Sequence, residues 1–190
     1  PVRIINPGWG SSGYYSADVL KRDGPKLFKS GLHMHADHPT ATEAQERPER
    51  SVNTLVATLS EDATWQDNHP SGPGLYAKAT VLKPWREALG ELAPHVGVSI
   101  RASGRVSEGE AEGKRGKLIT ELVAAESVDI VTQAGRGGAL LPLLESARAR
   151  NAAPGEESTV ADTPVLNEAQ SQQIATLERS EEHTSELQSR

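Results

Sequence analysis

Polar and apolar residues alternate over several short stretches of the first 150 positions, the pattern expected of half-buried strands whose side chains point to opposite faces in turn. Leu75, Ala77, Ala79 and Val81 show it most cleanly. Strands are predicted at 27–28, 32–35, 52–59, 75–82, 96–102 and 118–132. Helical spacing is rarer. Pro84 suits the first turn of a short helix over 84–92, in which Trp85, Leu89 and Leu92 share one face. A second helix is predicted at 139–149, after the turn Gly135-Arg136-Gly137-Gly138. The charged, glycine-rich stretch 103–116 is expected to be a mobile loop. No internal repeat is visible, and strands outnumber helices, so the pattern describes a β-dominated α+β domain.

The organisation changes near residue 150, which bounds a first domain at 1–150. Residues 151–178 read as a polar linker followed by the start of a helix at 166–178, with Ala169, Ile174 and Leu177 as sparse apolar positions. Residues 179–190 resemble the read-through translation of a sequencing adapter and are set aside, so the natural chain is expected to continue. With 36% apolar and only 4% aromatic residues in a 190-residue chain, the core must be economical. The net charge of −6 argues against general binding to nucleic acid or to an anionic membrane. No apolar run approaches the roughly 20 residues that span a bilayer, and no signal-peptide pattern is present. The absence of cysteine removes thiol chemistry and disulfides, as fits a cytoplasmic protein.

Candidate chemistry begins with His33-Met34-His35-Ala36-Asp37-His38, which spells H-x-H-x-D-H. The string resembles the first-half signature of the metallo-β-lactamases, and that resemblance implies a zinc hydrolase. Imidazole and carboxylate ligands suit zinc, and a catalytic site takes about three of them and leaves one position open. The surroundings fit less well: His38 falls beyond the strand end, and Pro39 holds it extended where a metal-binding loop has to turn. A different candidate lies in Val96-Gly97-Val98-Ser99-Ile100-Arg101. There Ser99 shares a strand face with Gly97 and Arg101, opposite the apolar side chains. A serine hydroxyl needs a neighbouring base to act as a nucleophile, and the bases at hand are His33, His35, His38, His69 and His95. Gly8 to Gly13 is glycine-rich but lacks the phosphate-loop pattern, so no nucleotide is assigned to it.

Several ordered segments together resemble the capsid maturation (prohead) proteases of tailed phages, particularly those of actinobacteria. They are Asn6-Pro7-Gly8-Trp9-Gly10 with Ser11 to Tyr15, Asp37-His38-Pro39-Thr40 with Glu43 and Arg47-Pro48, Gly74 to Ala77, Val96 to Ile100, and Ser127 to Thr132. The resemblance implies an assemblin-like fold, a mainly antiparallel β barrel flanked by short helices, with a scaffolding region after it. It implies a serine endopeptidase with Ser99 as nucleophile and His38 as general base. Asp129 would be the third, orienting member, with Glu126 or Ser127 as alternatives for that position. Gly135-Arg136-Gly137-Gly138 would correspond to the oxyanion loop, with the same stretch open to a plain reading as a flexible turn. Expected substrates are phage capsid and scaffold proteins, including the chain itself, inside the prohead in the bacterial cytoplasm. A homodimer is expected, with no cofactor, metal, nucleic acid or membrane. A non-catalytic scaffold component and the zinc hydrolase are the alternatives.

Overall fold

The structure, a computed structural model, describes residues 1–141. In chain order its elements are β1 (Val2–Ile5), β2 (Gly8–Trp9), β3 (Tyr14–Tyr15), α1 (Ala17–Leu27), β4 (His33–His35), α2 (Ala41–Glu46), β5 (Leu55–Leu59), β6 (Thr64–Gln66), β7 (Gly74–Ala77) and β8 (Ala79–Val81). They are followed by α3 (Arg86–Leu92), β9 (Gly97–Ala111), β10 (Lys114–Val131) and β11 (Ala139–Leu140). Single 3₁₀ turns precede β5, at Val52–Thr54, and α3, at Lys83–Trp85. The fold is mixed α+β and mostly antiparallel, in sheets ordered β11-β1-β7-β6, β2-β3-β10-β9 and β4-β5-β8. None of them is a closed barrel. Among the described residues the one parallel strand pair is β3 with β10.

Two isolated bridges run between sheets: Ala36, just after β4, pairs with Ile130 of β10, and Val98 of β9 pairs with Gly138 before β11. Together the sheets enclose one apolar cluster whose fully buried members include Ile4, Leu20, Phe28, Met34, Leu59, Leu75, Val98 and Val128.

Local chemistry explains where the elements depart from the pattern. Leu27 and Phe28, expected in a strand, close α1. That helix escapes hydrophobic periodicity because its inward face, Val19, Leu20, Asp23 and Gly24, carries a carboxylate and a glycine, and Pro25 lies within it. Ser16 caps it, its hydroxyl accepting from the Val19 N–H at 3.2 Å. Gly24 lets the helix rest on Leu75, whose methyl carbons lie 2.8 Å from where a Cβ would sit. The anticipated strand 75–82 is broken at Lys78 into β7 and β8, and 52–54 is a 3₁₀ turn, not strand. The short strands β1 and β6 were not anticipated.

The expected mobile loop at 103–116 is instead a β-ribbon. Here β9 and β10 pair continuously to a two-residue turn at Glu112 and Gly113, whose φ values of 51° and 74° match the twist a tight hairpin requires. Its tip is anchored where the Trp9 indole N–H donates to the Ala111 carbonyl at 3.0 Å. High charge hid the outer part of this ribbon, because no residue of 103–117 is buried on either face. Ala139 and Leu140, assigned to a helix, pair with β1; residues 142–149 of that predicted helix, the linker and the 166–178 helix lie outside the described residues.

Asp23 ties α1 to the ribbon. Its carboxylate accepts the buried Leu122 N–H at 3.0 Å and pairs with Arg22 at 2.6 Å. The Arg22 hydrogen bond holds its carboxyl below the usual range. Asp23→Ala leaves the Leu122 N–H without its acceptor, and urea unfolding at pH 7 is expected to show a loss of about 1–3 kcal/mol. Because the folded state binds this proton less readily than the unfolded chain, the carboxylate's contribution is present above the unfolded value of about 4 and fades as pH falls below it. The gap between wild type and Asp23→Ala is therefore expected to narrow at pH 3.

Candidate active site

The register of the ribbon decides which side chains meet. Ser99 of β9 and Asp129 of β10 are direct cross-strand partners, flanked by the pairs Val98 with Ile130 and Ile100 with Val128. Opposed residues of an antiparallel pair stand on the same face with Cβ atoms about 5 Å apart, so Ser99 and Asp129 are side by side. A register shift between Ala125 and Ser127 displaces Glu126 from the ladder. A one-residue slip would move Asp129 to the other face, so this irregularity sets which carboxylate accompanies Ser99.

Histidine reaches the pair from a third strand. After β4 the chain bridges Ile130 through Ala36, and the Asp37 N–H donates to the Ile130 carbonyl at 2.9 Å. Asp37 then turns with φ 60°, left-handed geometry that is uncommon outside glycine, and presents His38 over the strand pair. His38 Nδ1 lies 2.7 Å from Asp129 Oδ2, and His38 Nε2 lies 2.9 Å from Ser99 Oγ. A carboxylate only accepts, so Nδ1 carries the proton; Nε2 is then the acceptor for the Ser99 hydroxyl. Asp129 is fully buried and His38 half exposed. Pro39 follows, and Thr40 opens α2 with a capping box: its hydroxyl accepts from the Glu43 N–H at 3.2 Å, and Glu43 accepts from the Thr40 N–H at 2.8 Å. These bonds to Thr40 hold the Glu43 carboxyl below its usual range.

The H-x-H-x-D-H string is thus divided. His33 is exposed, its ring edge-on to His35 at 5.9 Å. His35 is buried with Nδ1 3.0 Å from Thr54 Oγ1, and His38 turns away to Asp129 and Ser99. Among the described residues no three histidine or carboxylate side chains are disposed to hold a metal ion. Of the alternatives to Asp129, Glu126 pairs with Arg101 on the exposed face of the ribbon, and Ser127 is buried with no hydrogen-bond partner for its hydroxyl. Neither reaches His38.

A pocket of about 180 Å³ opens beside Ser99 and His38, walled by Ile5, Ser11, Tyr15, Ile100 and Arg136. Arg136 stands at its wall, and its Nε donates to the Pro7 carbonyl at 2.8 Å and its Nη2 to the same oxygen. Two of the three guanidinium nitrogens are thereby committed to Pro7. Gly8, at φ 124°, is the glycine that permits the contact, because the guanidinium occupies the place of a Cβ. The segment Gly8 to Gly13 also lines the pocket, through Gly10, Ser11 and Ser12, and packs against Gly135. Arg50, also unanticipated, packs behind the histidine. Its Nη1 lies 3.3 Å from Asp129 Oδ2, and its Nη2 donates to the Asp37 carbonyl at 2.9 Å. No sequence signal marks it.

Comparison with protein-family models, curated proteins and solved structures finds no match. The site is accordingly described by its own geometry: a hydroxyl, an imidazole and a buried carboxylate in one hydrogen-bonded line, open to a pocket.

Burial pushes the His35 ring below the usual histidine range, and the neighbouring Arg50 adds to the effect. The unfolded chain binds this proton more readily, so the contribution of neutral His35 is complete above about pH 6.5 and is lost as pH falls below it, by at most about 1.4 kcal/mol per unit. The thermal midpoint is expected to drop between pH 7.5 and 5.5, and the drop should be smaller in His35→Gln. An equal drop in both proteins would assign the effect to other groups.

Proposed function

We propose that the protein is a serine endopeptidase acting as a phage prohead protease on capsid and scaffold proteins, its own chain included. The observation that carries the catalytic part is the Ser99–His38–Asp129 line, with contacts of 2.9 and 2.7 Å in the order hydroxyl, imidazole, carboxylate. In this reading Ser99 Oγ attacks a peptide carbonyl while His38 Nε2 takes the hydroxyl proton; the C–N bond breaks as His38 returns that proton to the leaving amine. Water, deprotonated by the same histidine, then hydrolyses the acyl-enzyme. Asp129 holds the imidazole with Nε2 facing the serine and stabilises the imidazolium that forms. Backbone N–H groups near Ser99 and the Gly135 loop are the proposed oxyanion donors.

The assemblin-like barrel belongs to the same proposal. β7 and β8 are consecutive across Lys78, and the first pairs with β1 while the second pairs with β5. Pairing then continues through β4, the Ala36–Ile130 bridge, β10, β9, the Val98–Gly138 bridge and β11 back to β1. This returning path supports a strongly distorted, partly open barrel. Phage substrates, location within the prohead in the host cytoplasm, and a homodimer remain the expectations carried by the sequence resemblance. Among the described residues no helix is long and apolar enough to cross a membrane.

The test is the full chain, followed by mass spectrometry for self-cleavage and by labelling with a fluorophosphonate probe. Ser99→Ala is expected to remove labelling and to lower cleavage by at least about 1000-fold, and Asp129→Asn to lower cleavage by roughly 100- to 10,000-fold. A chelator should change neither measurement. Undiminished cleavage in Ser99→Ala would overturn the serine mechanism, and loss on chelation would point to metal chemistry instead.

A further inference from the structure

Arg50 is joined to the Ser99–His38–Asp129 line in two places. Its guanidinium approaches Asp129 through the same oxygen, Oδ2, that receives His38 Nδ1–H. Its other terminal nitrogen binds the carbonyl of Asp37, the residue immediately before His38. The Asp37 N–H is held in turn by Ile130, next to Asp129. The guanidinium therefore closes a ring of contacts around the turn that aims the imidazole. Asp37 and Arg50 both have left-handed backbones, with φ 60° and 69°, at a cost of order 1 kcal/mol each. The fork of Arg50 links these two strained positions to each other.

Charge gives the contact a second purpose. Asp129 is completely buried, and a neutral imidazole does not compensate a carboxylate there; Arg50, itself only 13% exposed, supplies a permanent positive charge. A lysine has one compact ammonium and cannot occupy both acceptor sites with the planar geometry of a guanidinium. Solvent reaches this face through a cavity of about 560 Å³ bounded by Asp37, His38, Thr40, Glu43 and Arg50.

We propose that Arg50 is a positioning residue for His38, holding the Asp37 turn and the Asp129 carboxylate in the arrangement that directs Nε2 at Ser99. The inference rests on the reading of Ser99 as nucleophile. Its test measures phosphonylation of the full chain by a fluorophosphonate, in which the Ser99 Oγ–P bond forms, fluoride leaves and His38 takes the hydroxyl proton. The maximal rate and the half-saturating probe concentration are obtained separately. Arg50→Ala is expected to lower the maximal rate by about 10- to 100-fold with the half-saturating concentration unchanged within about twofold, as for a misaimed reacting group. Guanidinium chloride at non-denaturing concentrations should restore part of the rate by entering the cavity where the side chain stood, and equal sodium chloride should not.

An unchanged rate, a loss confined to probe affinity, or a loss that guanidinium fails to relieve would overturn the proposal. Should Arg50→Ala not give a cooperative thermal transition, Arg50→Lys decides: a lowered maximal rate in a folded protein supports the fork, and a wild-type rate overturns it. Wild type that does not label at Ser99 overturns the nucleophile and this inference together, whereas a labelled wild type with an equally fast Arg50→Ala overturns only the role of Arg50.

Discussion

Everything at the candidate site depends on the pairing of Ser99 with Asp129. Backbone hydrogen bonds between two long strands set that register. Side-chain parity then places the hydroxyl and the carboxylate on the same face, and the Ala36–Ile130 bridge delivers a histidine to both. No loop flexibility is needed to bring the three together. The constraint also explains the form of the ribbon: its three register shifts, at Ile119/Glu121, Leu122/Ala124 and Ala125/Ser127, adjust twist along a strand pair too long to remain regular. Asp129 is fully buried on the strand face opposite Val128 and Ile130, where His38 and Arg50 converge on its Oδ2.

The sequence made the site more legible than the fold. Ser99 stood out as a strand-face hydroxyl because apolar residues alternate around it, and His38 because it lies past the strand end with Pro39 after it; the pairing of the two came from the family resemblance. Asp129 stood in a clear apolar run, but Glu126 and Ser127 could not be set aside without the bulge, which leaves no mark in composition. Arg50 was invisible for a related reason. Its partners are 79 and 13 positions away, one of them a backbone carbonyl, and no local pattern encodes either contact.

Among the elements, hydrophobic periodicity succeeded where one face is buried and the other wet, as in β9 near Ser99. It failed where the buried face is not apolar or where burial is absent. α1 was missed because Asp23 and Gly24 occupy its buried face, and the outer ribbon at 103–117 because polar strands without a covered face look like loops. The short strands β1 and β6 depend on partners distant in sequence, a tertiary effect that local propensity does not carry.

The last described strand has a consequence for the order of events during synthesis. β11 follows the Gly135–Gly138 loop and pairs with Val2 and Arg3, and the Leu141 N–H closes on the Pro1 carbonyl. The first residues of the domain must therefore wait for its last before that sheet is complete. Val98, beside Ser99, likewise depends on Gly138 for its bridge. A nascent chain that has emerged only as far as the ribbon holds a serine and a histidine without the completed pocket wall around them. The sheet that closes beside Ser99 is thereby completed only after translation has passed residue 140, a consequence of strand order alone.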